Sequence, residues 1–241
     1  MKLRILVFTS IFFVGVSIYA QSSRIHELAQ DYLGQKYELR KMDCVILVEN
    51  LLARNLTEKC SEDSMFNYWL EQVQYQSGEV SYPTRLHYFS SFIDNGISKG
   101  WLENLQYPIG LKTTTRTVSL NFMSTHSSFY PELAASANLK GIIEMEHRLQ
   151  NRTITYIPKS ELRRYSLLNK CIENGDIIAI VTNKQGLDYS HVGIASWHKD
   201  GTLHLLNASQ TRKKVIDEPM TLYDYMLKHP SQLGISVIRV K

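Results

Sequence analysis

Three cysteines in 241 residues, Cys44, Cys60 and Cys171, are too few and too odd in number to staple a fold together. A disulfide scaffold is excluded, and nothing in the sequence places Cys60 beside Cys171, so their pairing stays open. The 6 prolines and 12 glycines are scattered, and no linker, repeat or low-complexity tract divides the chain. An excess of one charge is missing too. The 27 Lys and Arg are interspersed with 23 Asp and Glu, and a net +4 without a basic block argues against nucleic acid as a partner. The eight histidines include no HExxH and no tight Cys/His cluster, so neither a metal nor a cofactor is expected.

Long apolar runs are confined to the first twenty residues. Lys2 and Arg4 precede an apolar stretch from Ile5 to Val16, and Ser17-Ile18-Tyr19-Ala20 leads into the polar Gln21-Ser22-Ser23. This reads as a signal peptide over residues 1–20, cleaved after Ala20, since the apolar run is shorter than the ~20 residues of a spanning helix. The expectation is an exported chain, monomeric and without a membrane anchor once the signal is removed. Residues 21–241 suffice for one large domain.

The chain is organised around Met42-Asp43-Cys44-Val45-Ile46-Leu47-Val48-Glu49-Asn50-Leu51-Leu52. Val45, Leu47, Val48, Leu51 and Leu52 recur at helical spacing, and Asp43 is a helix-capping residue type, so a helix is expected to begin at Cys44. Free N–H groups and the positive end of the helix dipole would then favour a thiolate. The plain alternative is a small core cysteine, and only a histidine and an orienting polar group elsewhere overturn it.

Ahead of this helix, residues 24–33 form an amphipathic pattern ended by Gly34. Beyond it, Phe66 to Leu70 is expected to be helical, and Val73 to Gln76 its continuation or a short strand. From Thr153 the pattern changes to short β-type runs: Thr153 to Ile157, Asp176 to Val181, Ser190 to Trp197, Thr202 to Ser209 and Ile235 to Val240, with a helix over Thr221 to Lys228. Lys199-Asp200-Gly201 joins two of these as a hairpin. The expected class is α+β, with N-terminal helices packed on a C-terminal antiparallel sheet and a large segment at about 60–150 between them.

The hairpin supplies partners for the thiol. His191 opens one strand and Asn207 lies near the end of the next, so antiparallel pairing can bring them together. Cys44, His191 and Asn207 then make a nucleophile, base and orienting amide. His204 is the rival third member, but its odd separation from Asn207 sets it on the opposite face.

Leu33-Gly34-Gln35-Lys36-Tyr37, Asp43-Cys44, Gly175-Asp176-Ile177-Ile178, Ser190-His191-Val192-Gly193-Ile194 and Leu206-Asn207-Ala208-Ser209 occur in the order seen in NlpC-type cell-wall hydrolases, which the chain resembles. Tyr82 to Phe89, Asn121 to His126 and Gly186-Leu187-Asp188 are similar to a narrower branch related to N-acetylmuramoyl-L-alanine amidases. The resemblance implies a papain-like fold, a peptidoglycan or muropeptide substrate, and a place in the periplasm or envelope of a bacterium. It implies Cys44 as nucleophile, His191 as base and acid, Asn207 as orienting group where the superfamily often has histidine, and Asp43 in shaping the oxyanion pocket. Arg85, His87, Asn95, Asp188 and Ser190 are candidates for binding substrate. The bond expected to break joins N-acetylmuramic acid to L-alanine. A γ-D-glutamyl-diamino acid endopeptidase, a general cysteine protease and a non-catalytic wall-binding protein are the alternatives.

Overall fold

The computed structural model describes residues 23–60 and 62–241, and the signal peptide expected at residues 1–20 lies outside them. Helix α1 covers residues 23–30 and ends earlier than its apolar pattern. Asp31, Tyr32 and Leu33 donate their N–H groups three residues back, to Leu28, Ala29 and Gln30, which tightens the last turn. Gly34, with φ +83°, then redirects the chain. Gly34 and Tyr37 donate to the carbonyls of Val215 and Lys213, and Val215 donates to Gln35, so residues 34–37 are tied to the sheet edge. This fixes the approach to α2 (Cys44–Cys60), whose Leu47, Val48, Leu51 and Leu52 are at most 1% exposed.

The intermediate segment carries α3 (Phe66–Gln74), α4 (Phe89–Ser98), β1 (Leu102–Asn104), β2 (Thr114–Val118), α5 (Phe122–Thr125) and α6 (Ser136–Arg148). Val73 belongs to α3, while Tyr75 makes a bridge to Arg85, so both expectations for that stretch are met in part. The C-terminal part follows as β3 (Arg152–Pro158), α7 (Tyr165–Leu168), β4 (Ile177–Thr182), β5 (Tyr189–Trp197), β6 (Leu203–Ser209), β7 (Lys214–Asp217), α8 (Leu222–Leu227) and β8 (Gln232–Val240).

Among the described residues the strands form one antiparallel sheet in the order β2-β3-β8-β4-β5-β6-β7, with β1 also paired to β8. The class is therefore mixed α+β, as expected. Strand β4 is buried throughout. Its Ile177 and Ala179 pack into the cluster that holds α1 and α2, and Ile178 and Ile180 into the cluster that holds α8. Cover on both faces is the reason its sequence is a continuous apolar run. Asp176, at the start of that run, is held by the Arg239 guanidinium at 2.9 and 2.7 Å.

Candidate active site

Asp43 shapes the start of α2. Its Oδ1 accepts from the N–H groups of Val45 (3.0 Å) and Ile46 (3.1 Å), and its Oδ2 from that of Arg40 (3.0 Å). This capping leaves Cys44 as the first helical residue. The Cys44 N–H, at this helix start, is turned to the residue's own sulfur. The half-buried thiol itself receives the N–H groups of Val192 and Val45. Burial nevertheless pushes it up to about 12, and the Asp43 carboxylate adds to this. The resting group is a thiol, and the expectation that the helix start would hold a thiolate is outweighed by desolvation and a neighbouring negative charge.

Strand β5 brings the imidazole. The β4–β5 register passes from Ile180 opposite His191 to Val181 opposite Tyr189, leaving Ser190 as the extra residue of a bulge. Such a bulge re-aims side chains at the strand end. Ile194 lies opposite Leu206, and one further step along that register sets Asn207 across from Gly193, two residues from His191 on the same face. His191 Nε2 lies 3.0 Å from Asn207 Oδ1. Asn207 Nδ2 donates to the Leu205 carbonyl at 3.3 Å, so the amide oxygen is the atom turned to the ring. Nε2 therefore carries the proton, and Nδ1 keeps its lone pair with no hydrogen bond among the described residues. Burial lowers the His191 pKa below the ordinary histidine value, with Asn207 acting the other way. A neutral imidazole and a neutral thiol on the wall of one cavity are suited to proton transfer when a substrate arrives.

Cys44 and His191 line one cavity of about 90 Å³, together with Val45, Leu86, His87, Phe89, Leu187, Asp188, Tyr189, Ser190 and Val192. The structure thus brings together Cys44, His191, His87, Asp188 and Ser190, with Asn207 behind the histidine ring. His87 Nε2 donates to the Tyr82 carbonyl at 2.8 Å, and burial lowers its pKa to about 4, so it is a neutral group at the cavity wall. The Ser190 hydroxyl is buried without a partner among the described residues. Asp188 is committed to backbone: its oxygens accept from Ser90 (2.9 Å) and Tyr189 (2.7 Å), which fastens the first turn of α4 to the start of β5.

Arg85 and Asn95 lie apart from this group. They line a neighbouring groove of about 500 Å³ that meets the thiol cavity at Leu86. Arg85 is engaged by Glu49 of α2 through two bonds of 2.6 and 2.8 Å, and Asn95 donates to the Gln72 carbonyl at 3.2 Å. His204 keeps to the other face, pairing opposite Ser196 and donating through Nδ1 to the Glu218 carbonyl. Two tyrosines escaped sequence reasoning. Tyr225 of α8 stacks on His191 at 6.1 Å, and the Tyr37 phenol is pushed up by burial, then by Asp43 and Cys44. Tyr37 stands within a quoted motif, whereas nothing in the sequence singles out Tyr225.

The fold and this site define an α+β protein with a cysteine, a histidine and an asparagine gathered where a helix start meets a sheet. The family model for N-acetylmuramoyl-L-alanine amidase-like (AmiA-like) proteins matches residues 12–235, and the chain belongs to that family. An N-acetylmuramoyl-L-alanine amidase from Bacteroides uniformis ATCC 8492 has a similar solved structure, with 32% identity, a TM-score of 0.84, and coverage of 92% of this chain and 99% of that one. A Bacteroides fragilis protein described as a candidate xylanase is 31% identical, with a TM-score of 0.80 and coverage of 89% and 100%. A Legionella pneumophila protein at 20% identity and a TM-score of 0.67 shares the fold, with 95% of each chain covered. No curated protein matches this chain. No helix among the described residues is long and apolar enough to cross a membrane.

Proposed function

We propose that this chain is an exported, papain-like peptidoglycan hydrolase that cleaves the amide between the lactyl group of N-acetylmuramic acid and L-alanine through a thioester on Cys44. The observation that carries the chemistry is the tautomer of His191, whose Nε2–H is held by Asn207 while Nδ1 stays basic. His191 takes the Cys44 proton as the sulfur attacks the lactyl carbonyl. The Cys44 N–H at the helix start donates to the developing oxyanion. His191 then returns the proton to the departing α-amine of alanine and activates the water that hydrolyses the thioester. No step calls for a metal.

His87 and the unpartnered Ser190 hydroxyl are the polar groups that would meet the substrate in the cavity. Arg85 has a different part in this reading: it neutralises Glu49 and so supports α2 beneath the thiol, rather than binding a peptide carboxylate. A glycosidase reading, which the name of the Bacteroides fragilis neighbour raises, needs two carboxyl groups flanking the scissile bond. The cavity offers only Asp188, already engaged by two backbone N–H groups. The bond choice rests on the family and on the name of the Bacteroides uniformis neighbour. Mass analysis of digested muropeptides tests it: an intact peptide beginning at L-alanine, lost in Cys44→Ala, is expected, and cleavage after D-glutamate would overturn it.

A further inference from the structure

A second cluster of chemistry-bearing side chains lies at the far end of β5. His191 stands near the start of that strand and His198 follows its last residue, so seven residues at ~3.3 Å each set the two roughly 23 Å apart. Around His198 gather His204 of β6 and Asp217 of β7, and one ligand atom from each of the three lies within 4.8 Å of the others. The His198 and His204 rings stack at 3.5 Å, only 5° from parallel. His198 Nε2 is 3.1 Å from Asp217 Oδ2. His26 of α1 approaches through Ser196, whose hydroxyl lies 3.3 Å from His26 Nε2 and 2.7 Å from Asp217 Oδ2.

From this geometry we infer that His198, His204 and Asp217 form a binding site for a zinc-class divalent ion, with His26 within reach as a fourth ligand. Three features carry the inference. His204 donates Nδ1–H to the Glu218 carbonyl at 2.8 Å, which fixes its tautomer and leaves the Nε2 lone pair as an acceptor, 2.8 Å from the Thr202 hydroxyl. A ring nitrogen anchored on a backbone carbonyl is the support that metal-bound histidines use. Asp217 Oδ1 is buried and has no hydrogen-bond partner among the described residues, although its carboxylate stands among imidazoles. The His198–Asp217 separation is already near the ~3.3 Å between two ligands that share a tetrahedral zinc at about 2.0–2.1 Å.

Imidazole with one carboxylate suits zinc rather than magnesium or calcium, which prefer oxygen-only shells. Parallel rings cannot both aim their lone pairs at one ion. Entry of the ion therefore turns His198, the more exposed ring, out of the stack while His204 stays on its carbonyl. The four residues come from α1, the end of β5, β6 and β7, so the ion would fasten α1 to the sheet without touching the thiol.

The test is calorimetric titration of zinc chloride into chelator-treated, tag-free chain carrying Cys44→Ala, which removes the competing nucleophilic thiol. One zinc per chain with a micromolar or tighter Kd is expected, together with a raised Tm. His198→Gln and Asp217→Asn should each weaken binding at least tenfold, while His147→Gln at an exposed position should not. Cobalt(II) should give the intense visible absorption of a tetrahedral site, lost in Asp217→Asn. Absence of stoichiometric zinc binding, or equal binding by chains carrying His198→Gln and Asp217→Asn whose circular dichroism shows them folded, would overturn the site.

Discussion

His191 Nε2 donates to the amide oxygen of Asn207 across 3.0 Å, and that oxygen carries no charge. The ring is oriented but its protonated form is little stabilised, and burial holds its pKa below the ordinary histidine value. The acid limb of the kcat/KM profile is therefore expected below pH ~6.5, because His191 must be neutral to act as base. Asn207→Asp places a carboxylate on the same nitrogen and should move that limb upward by roughly one to two pH units. Asn207→Ala, which frees the ring, should lower kcat by about 10-fold or more at every pH.

The Cys44 thiol, pushed up to about 12, should be a poor nucleophile toward reagents that do not engage His191. At pH 7 iodoacetamide is expected to alkylate it about three orders of magnitude more slowly than an ordinary cysteine thiol. Asp43→Asn should speed alkylation, since the carboxylate is the second cause of the raised pKa. The asparagine oxygen still caps the helix while the bond from the Arg40 N–H is lost, so the stability cost should stay below that of Asp43→Ala, about 1 kcal/mol. Alkylation rates and urea melts of the two variants separate the electrostatic effect from the capping effect.

Glu49 is fully buried in α2 and held by Arg85. Arg85→Ala strands that carboxyl, and a loss of about 3–5 kcal/mol in urea unfolding is expected. A variant that stayed as stable as the parent and lost only substrate affinity would return Arg85 to the substrate-binding role first expected of it.

His87 contributes to acid sensitivity. Its pKa of about 4 in the folded chain lies below the unfolded value of ~6.5, so below pH 6.5 the unfolded chain binds more protons. Stability from this group is complete above pH ~6.5 and is lost as pH falls toward 4. The loss should be about 1–3 kcal/mol, and His87→Gln should flatten the stability profile between pH 4 and 6.5.

Strands β3, β4, β5, β6 and β8 were readable because they are apolar runs broken by turn residues, and Asp200-Gly201 does join β5 to β6 as expected, with Gly201 at φ +79°. Strands β1, β2 and β7 were not legible. They are three to five residues long, partly exposed and rich in polar side chains, and they are strands only because β8, β3 and β6 offer them hydrogen bonds. In the site, parity along β6 was enough to separate Asn207 from His204. The pairing of Arg85 with Glu49 was not legible because Glu49 is hidden inside the apolar pattern of α2. The cluster of His26, His198, His204 and Asp217 was invisible for a related reason: its members are far apart in sequence, and only packing of α1 on the hairpin and β7 collects them.

The acyl group on Cys44 identifies the bond that breaks, and mass spectrometry of acid-quenched enzyme reads it. With a muropeptide in excess, an adduct on Cys44 equal to the muramyl sugar portion, with the complete peptide free in solution, is predicted. An adduct that retains L-alanine and D-glutamate, or turnover that persists in Cys44→Ala, would contradict the account.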